Sequence, residues 1–265
     1  MGRKILWYGI VLLFIIGIAG FVIGFGNAIF IGADIAKPPE TSEHAEEPDN
    51  GAIPHEDHQI VALGDSLASG TGDTTGQGFA GRVAEAVRQQ TGKSVGLYNF
   101  AVEGMRSETL ASMIGSLEVK DHLEAANYIL ISIGGNDLKD LTDIPFGKQD
   151  QIYTEQLSAY LAHLENALQD IREINQEGMV VFLGLYDLDY SDPGSRENAY
   201  VLEWNYQTQL LLDKYANTVF VPAYDLFQLN MDRYMFFDGI HPNDSGHEAI
   251  AKRIIDSLMP ADGLR

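Results

Sequence analysis

Ser66 follows the apolar run Ile60-Val61-Ala62-Leu63 and the pair Gly64-Asp65. A short apolar run of this kind reads as a buried strand. The hydroxyl therefore sits where a strand gives way to a loop, and open α/β sheets bind ligands at the carboxyl ends of their strands. A serine becomes a nucleophile when a base takes its proton, a third group orients that base, and donors receive the developing negative charge. Residues able to fill those places are scattered along the rest of the chain.

The candidate base is His241, with Asp238 three residues before it in Phe236-Phe237-Asp238-Gly239-Ile240-His241-Pro242. That spacing can set a carboxylate against one imidazole nitrogen and leave the other free for a hydroxyl. Alone, the pair reads as an ordinary turn and helix entry with Asp238 as a cap, and it gains meaning only beside Ser66. Asn136, in Ile131-Ser132-Ile133-Gly134-Gly135-Asn136-Asp137, offers a neutral amide donor. Gly104, at the end of Tyr98-Asn99-Phe100-Ala101-Val102-Glu103-Gly104, can present a bare backbone N–H. The Ser66 N–H is the third oxyanion donor. Asp65 and Asp137 are expected to hold their turns, and Glu103 would place a negative charge near the oxyanion donors. No metal or cofactor is implied: one Asp and one His are a poor ligand set. Gly70, Gly72, Gly76 and Gly78 lack the Gly-Lys-Ser/Thr of a nucleotide loop.

Positioning these residues requires alternating elements. Strand-like runs fall at Ile60–Leu63, Ser94–Asn99, Tyr128–Ile133, Met179–Leu185 and Thr218–Val221. Helical patterns cover about Phe79–Gln90, Ser107–Leu117, Tyr153–Gln176, Glu197–Tyr215 and Asp244–Leu258. The alternation predicts an α/β fold with a parallel sheet covered by helices on both faces. Trp204 and Tyr206 are expected in the core, and His122, His163 and His247 on the surface or in caps. Tyr186–Gly194 is long for a βα loop and is either a wall of the substrate pocket or an acidic surface loop.

The 265-residue chain has no cysteine and a formal net charge of −21. Disulfides are excluded. The charge disfavours nucleic-acid backbones and anionic membrane surfaces as partners. Ile5–Gly32 carries no charged residue, and Arg3 and Lys4 precede it. That length suits a membrane-spanning helix better than the apolar core of a cleaved signal, and the flanking charges put the N-terminus in the cytoplasm. The expected organisation is an anchor over residues 1–33, an acidic Pro-containing stalk over 34–58, in or beside which His44, His55 and His58 are solvated, and a catalytic domain over 59–265.

Gly64-Asp65-Ser66-Leu67, Asn99 through Gly104, Gly134-Gly135-Asn136-Asp137 and Asp238 to His241 occur in the order and spacing of the SGNH hydrolases, the GDSL lipases and esterases. Each motif is weak alone; four in order are specific, and the resemblance spans about residues 59–258. Among its members the chain looks most like membrane-anchored acylhydrolases of Gram-positive bacteria. The resemblance implies a three-layer α/β/α flavodoxin-like fold with strand order 2-1-3-4-5. It also implies a Ser66–His241–Asp238 triad and an oxyanion hole of Ser66, Gly104 and Asn136. The function expected is ester hydrolysis outside the cytoplasmic membrane, on a small-molecule, lipid or glycan ester. Acyl transfer to a sugar alcohol, and a non-catalytic surface binding protein that keeps the fold, are the alternatives.

Overall fold

The computed structural model describes residues 56–138, 148–186 and 196–258. The expected membrane segment, the stalk up to residue 55 and most of the Tyr186–Gly194 loop lie outside the described residues. Among the described residues no helix is long and apolar enough to cross a membrane.

The chain begins with β1 (His58–Gly64), α1 (Ser66–Ser69), α2 (Gly78–Thr91) and β2 (Val95–Asn99). It continues with α3 (Ser107–Ile114), α4 (Leu117–Glu124), β3 (Tyr128–Ser132), α5 (Gly135–Leu138) and α6 (Gln149–Ile174). The last elements are β4 (Met179–Leu183), α7 (Arg196–Leu212), β5 (Thr218–Val221), α8 (Tyr224–Gln228), α9 (Met231–Tyr234) and α10 (Asp244–Leu258). The five strands form one sheet in the order β2-β1-β3-β4-β5, with every neighbouring pair parallel.

β1 shows why this sequence makes a doubly covered sheet. Side chains alternate faces along a strand. Val61 and Leu63 pack into one apolar cluster with residues of α3, α4, α6 and α7. Ile60 and Ala62 pack into the other with α2, α8 and α10. Both faces being dry, the strand must be apolar at every position rather than at alternate ones, and Ile60 to Leu63 are all fully buried.

Two sequence expectations change. The helix expected over Ser107–Leu117 stops at Ile114 and a second helix starts at Leu117, because Gly115 and Ser116 break the first and lead into the next. Trp204 is fully buried as expected, but Tyr206, two residues on along α7, is 55 % exposed. A helix turns about 100° per residue, so the two side chains point in well-separated directions.

The strand order reverses between β1 and its two neighbours, β2 and β3. The crevice beyond their carboxyl ends is where such a sheet gathers its loops. Gly64 permits the closest approach there. Its φ is +123°, and a Cβ at that position would lie 1.8 Å from the Ser132 carbonyl oxygen. Only glycine lets β1 end this close to β3, and the next residue, Asp65, donates its N–H to that same carbonyl at 3.0 Å.

Candidate active site

α1 is a single turn whose N-cap is Asp65. The buried Asp65 carboxylate accepts the Leu67 N–H at 3.1 Å and the Ser132 hydroxyl at 3.2 Å. Ser66 is therefore fixed at the first position of a turn that is tied at once to its own helix and to β3. Burial pushes the Asp65 carboxyl up to about 6, against the lowering effect of those two donors. A buried acid raised in this way favours the protonated folded protein. Its ionisation weakens folding progressively from pH 3.8, its ordinary value, to about 6, and fully above that. Asp65→Asn keeps the acceptor oxygen and cannot ionise. The variant is expected to melt higher than wild type at pH 7.5, by up to about 3 kcal/mol in stability, with the gain shrinking toward zero at pH 4. Thermal melts at the two pH values check this; a gain independent of pH would contradict it.

His241 and Asp238 come from a tight turn between α9 and α10. Phe236 N–H donates to the His241 carbonyl at 2.7 Å, and an antiparallel bridge joins Met235 to Pro242. Within the turn, Asp238 Oδ1 accepts the N–H groups of Ile240 at 2.9 Å and His241 at 3.0 Å. Its other oxygen lies 2.7 Å from His241 Nδ1, and His241 Nε2 lies 2.9 Å from Ser66 Oγ. Partial burial works to raise Asp238, but the ring and the two backbone donors outweigh it and hold the carboxyl down at about 2. Asp238 thus stays ionised well into acid, and its contribution to folding is lost only as pH falls from about 3.8 to about 2. An ionised carboxylate only accepts, so His241 presents Nδ1–H to it and keeps Nε2 as the acceptor facing the serine.

The other two predicted residues lie in the neighbouring loops. Gly104 follows β2 with φ +74° and has open space where a side chain would stand. Asn136 lies on α5 after β3 and donates one Nδ2 hydrogen to the Met105 carbonyl at 3.0 Å. That bond fixes which way the amide faces and leaves its second hydrogen to give. Among the described residues no protein acceptor engages the Ser66 or Gly104 N–H. Asp137 accepts from the Ser107 N–H and hydroxyl, the turn-holding part expected of it. Glu103 is exposed and accepts the Thr71 hydroxyl at 2.8 Å, bridging the Gly104 loop to the segment after Ser66.

His58, expected to be solvated beside the stalk, instead opens β1 and is half-buried. Of the three histidines expected on the surface or in caps, His122 and His163 are half-buried and partnered, while His247 departs from the expectation. His122 stacks on Tyr98 with ring centroids 3.8 Å apart. His163 Nδ1 lies 3.2 Å from the Ser107 hydroxyl. His247 is fully buried. Its Nδ1 accepts the Phe79 N–H at 3.1 Å and its Nε2 donates to the Thr71 carbonyl at 3.0 Å, which defines the neutral tautomer; burial lowers its basicity accordingly. Nearby, Asp244 accepts both the N–H and the hydroxyl of Thr74 at 2.7 Å. The N–H groups of Gln77 and Gly78, in the glycine-containing loop, donate to Asp73, itself held by Arg82 at 2.9 Å through two nitrogens. The loop after Ser66 is thus stitched to α10, the helix that follows His241. His163 and His247 each interrupt an apolar helical stripe, Tyr160-Leu164-Ala167 and Ile250-Ala251-Ile254 respectively. That interruption is the signal that could have revealed them.

A hydroxyl, an imidazole and a carboxylate in line, with free donors close by in sequence and fold, can carry out nucleophilic acyl substitution. Among the described residues no group of three or more His, Asp or Glu is placed to hold a metal ion. The open groove of about 720 Å³ between α2 and α10 is not lined by Ser66, Asp238 or His241. Its walls mix Arg82, Lys252 and Arg253 with Glu85, Glu248 and Asp256.

Comparison with known proteins shows the family and the fold. The profile of the GDSL-like lipase/acylhydrolase family matches residues 60–254. The protein YpmR of Bacillus subtilis is 32 % identical over 214 residues, covering 75 % of this chain and 80 % of that one. The spore germination lipase LipC of Bacillus licheniformis is 26 % identical over 208 residues, covering 74 % and 94 %. Among solved structures, a lipase from a goat rumen metagenome superposes with a TM-score of 0.68 at 23 % identity, covering 76 % of this chain and 97 % of its own. The acetylxylan esterase Axe2 of Geobacillus stearothermophilus gives 0.60 at 16 %, covering 76 % and 94 %. At those identities the two structures show a shared fold.

Proposed function

Since the chain belongs to the GDSL-like lipase/acylhydrolase family and is an ester-hydrolysing enzyme, we propose that it works through a Ser66–His241–Asp238 triad, outside the cytoplasmic membrane, on acyl or acetyl esters of lipids or glycans. The observation that carries the triad is the single line of contacts from Asp238 Oδ2 to His241 Nδ1 and from Nε2 to Ser66 Oγ.

In this reading Ser66 Oγ attacks the ester carbonyl carbon while His241 Nε2 takes its proton. The carbonyl oxygen becomes an oxyanion held by the N–H groups of Ser66 and Gly104 and by the second Nδ2 hydrogen of Asn136. Collapse breaks the bond to the leaving alkoxide, which His241 protonates. Water then gives a proton to the same nitrogen and attacks the acyl-serine, and the second collapse releases the acid as His241 returns that proton to Ser66 Oγ. Asp238 stays ionised throughout and stabilises the imidazolium. The turn carrying Asp238 and His241 also presents Phe237, 90 % exposed, and Ile240, 40 % exposed, an apolar rim that suits an acyl chain or the face of a sugar ring. LipC, named a lipase, and Axe2, named an acetylxylan esterase, motivate the two substrate classes. The uncharged run from Ile5 to Gly32 behind two basic residues supports the location.

The test is an acyl-chain-length profile with p-nitrophenyl esters, joined to labelling with a fluorophosphonate. Turnover together with one phosphonate on the peptide containing Ser66 is expected. Inertness toward every chain length, or label on another residue, would overturn the assignment.

A further inference from the structure

Of the three donors assigned to the oxyanion, Gly104 and Asn136 sit on separate loops, one after β2 and one after β3. Their mutual placement decides whether both reach one oxygen atom. Two sets of contacts tie the loops together: the bond from Asn136 to the Met105 carbonyl, which lies within the site itself, and a second set behind it. α3 begins three residues after Gly104, and its N-cap, Arg106, makes no side-chain capping bond. The cap comes instead from the other loop. Asp137, next to Asn136, accepts the Ser107 N–H at 3.1 Å and the Ser107 hydroxyl at 2.5 Å. A carboxylate at a helix N-terminus is favoured by the helix dipole as well as by these bonds.

Counting protons extends the chain one residue further. Ionised Asp137 can only accept, so the single Ser107 hydroxyl proton points to it. Toward His163 Nδ1, at 3.2 Å, the Ser107 oxygen is then left as acceptor, and His163 must bring the proton. Ser107 is 1 % exposed, so its hydrogen bonding is isolated from bulk water. His163 stands on α6, a helix of 26 residues whose buried side packs in the same cluster as α3.

We infer that His163 and Ser107 are positioning residues for the oxyanion site, forming a relay of hydrogen bonds from His163 through Ser107 to Asp137 that locks the Gly104 loop to the Asn136 loop. This inference rests on the proposed assignment of Gly104 and Asn136 as oxyanion donors. Neither His163 nor Ser107 touches substrate. Their effect is on the transition state, because a loop displaced by a fraction of an ångström still binds ester but no longer centres its donors on the oxyanion.

The experiment uses His163→Leu, which removes the donor, and His163→Asn, whose amide NH₂ can stand where Nδ1–H stood. With p-nitrophenyl acetate, His163→Leu is expected to lower kcat about tenfold with KM changed less than about twofold, and His163→Asn to recover to within about threefold of wild type. The inhibition constant of phenylboronic acid, whose serine adduct is tetrahedral and anionic, should rise by the same factor as kcat falls. If His163→Leu does not fold, Ser107→Ala is held to the same split between kcat and KM. Wild-type kcat in the leucine variant, equal kcat in the leucine and asparagine variants, or a boronate constant that stays put would overturn the relay while leaving the triad standing. A wild-type protein that neither hydrolyses esters nor takes the phosphonate would overturn both.

Discussion

Ser66→Ala is expected to lower kcat for p-nitrophenyl acetate by at least about 10⁴-fold and to leave the melting temperature unchanged within a degree or two. The two readouts separate because Ser66 holds its turn through its backbone, not its hydroxyl. The Ser66 carbonyl accepts the Thr71 N–H at 3.0 Å and the Ser69 hydroxyl at 2.9 Å, and alanine keeps both. The cap on α1 belongs to Asp65 and is untouched. What alanine removes is the oxygen 2.9 Å from His241 Nε2. Binding and the oxyanion donors survive, so a residual rate above that in water is expected, as when any one member of such a triad is lost. The check is steady-state kinetics beside a thermal melt, with the fluorophosphonate as a second probe. Retention of more than about 1 % of wild-type kcat would show that another group attacks the ester.

Asp238→Asn is expected to lower kcat by about 10³- to 10⁴-fold, more than its small change in shape suggests. The argument is about proton placement. Asparagine can keep Oδ1 as acceptor for the N–H groups of Ile240 and His241, so the turn survives. Its NH₂ then faces His241 Nδ1, where the carboxylate oxygen had been at 2.7 Å. A donor there turns Nδ1 into the acceptor and moves the ring proton to Nε2, which faces Ser66 and can no longer take its proton. Asp238→Ala has no such donor and is expected to be less damaged at high pH than the isosteric variant. Kinetics of the two variants from pH 6 to 10 check this. An asparagine variant more active than the alanine variant across that range would contradict the assignment of Asp238 as the residue that sets the tautomer.

The parts of this site that lie within a few residues of one another were readable as text. Ile60–Leu63 announces a strand covered on both faces, and Gly64-Asp65-Ser66 announces where it ends. Asp238 and His241 are close enough for their spacing to mean something. The joining of those parts was less legible. That Asp137 caps a helix belonging to another loop depends on Cα paths that no local pattern encodes. The same holds for His247, which bridges Thr71 and Phe79 from 176 and 168 residues away. His163 and His247 did leave a trace, as polar residues set on an apolar helical stripe, but the trace says only that a partner exists. The break between α3 and α4 was written in Gly115 and Ser116 and was masked by the apolar pattern continuing across them.

Ser66 and His241 are separated by 175 positions, and the loop after Ser66 is fastened to α10, the helix that follows His241. The nucleophile is thus among the first parts of the folded domain to be made and its base among the last. At synthesis rates of roughly 5–20 residues per second, about 10–35 s pass between the two. Through that interval the serine has no base, and the Asp244 and His247 tethers that order its loop have not been made. Hydrolytic power comes with α10 in one step, so a nascent or C-terminally shortened chain is a folding intermediate with no esterase activity to misdirect.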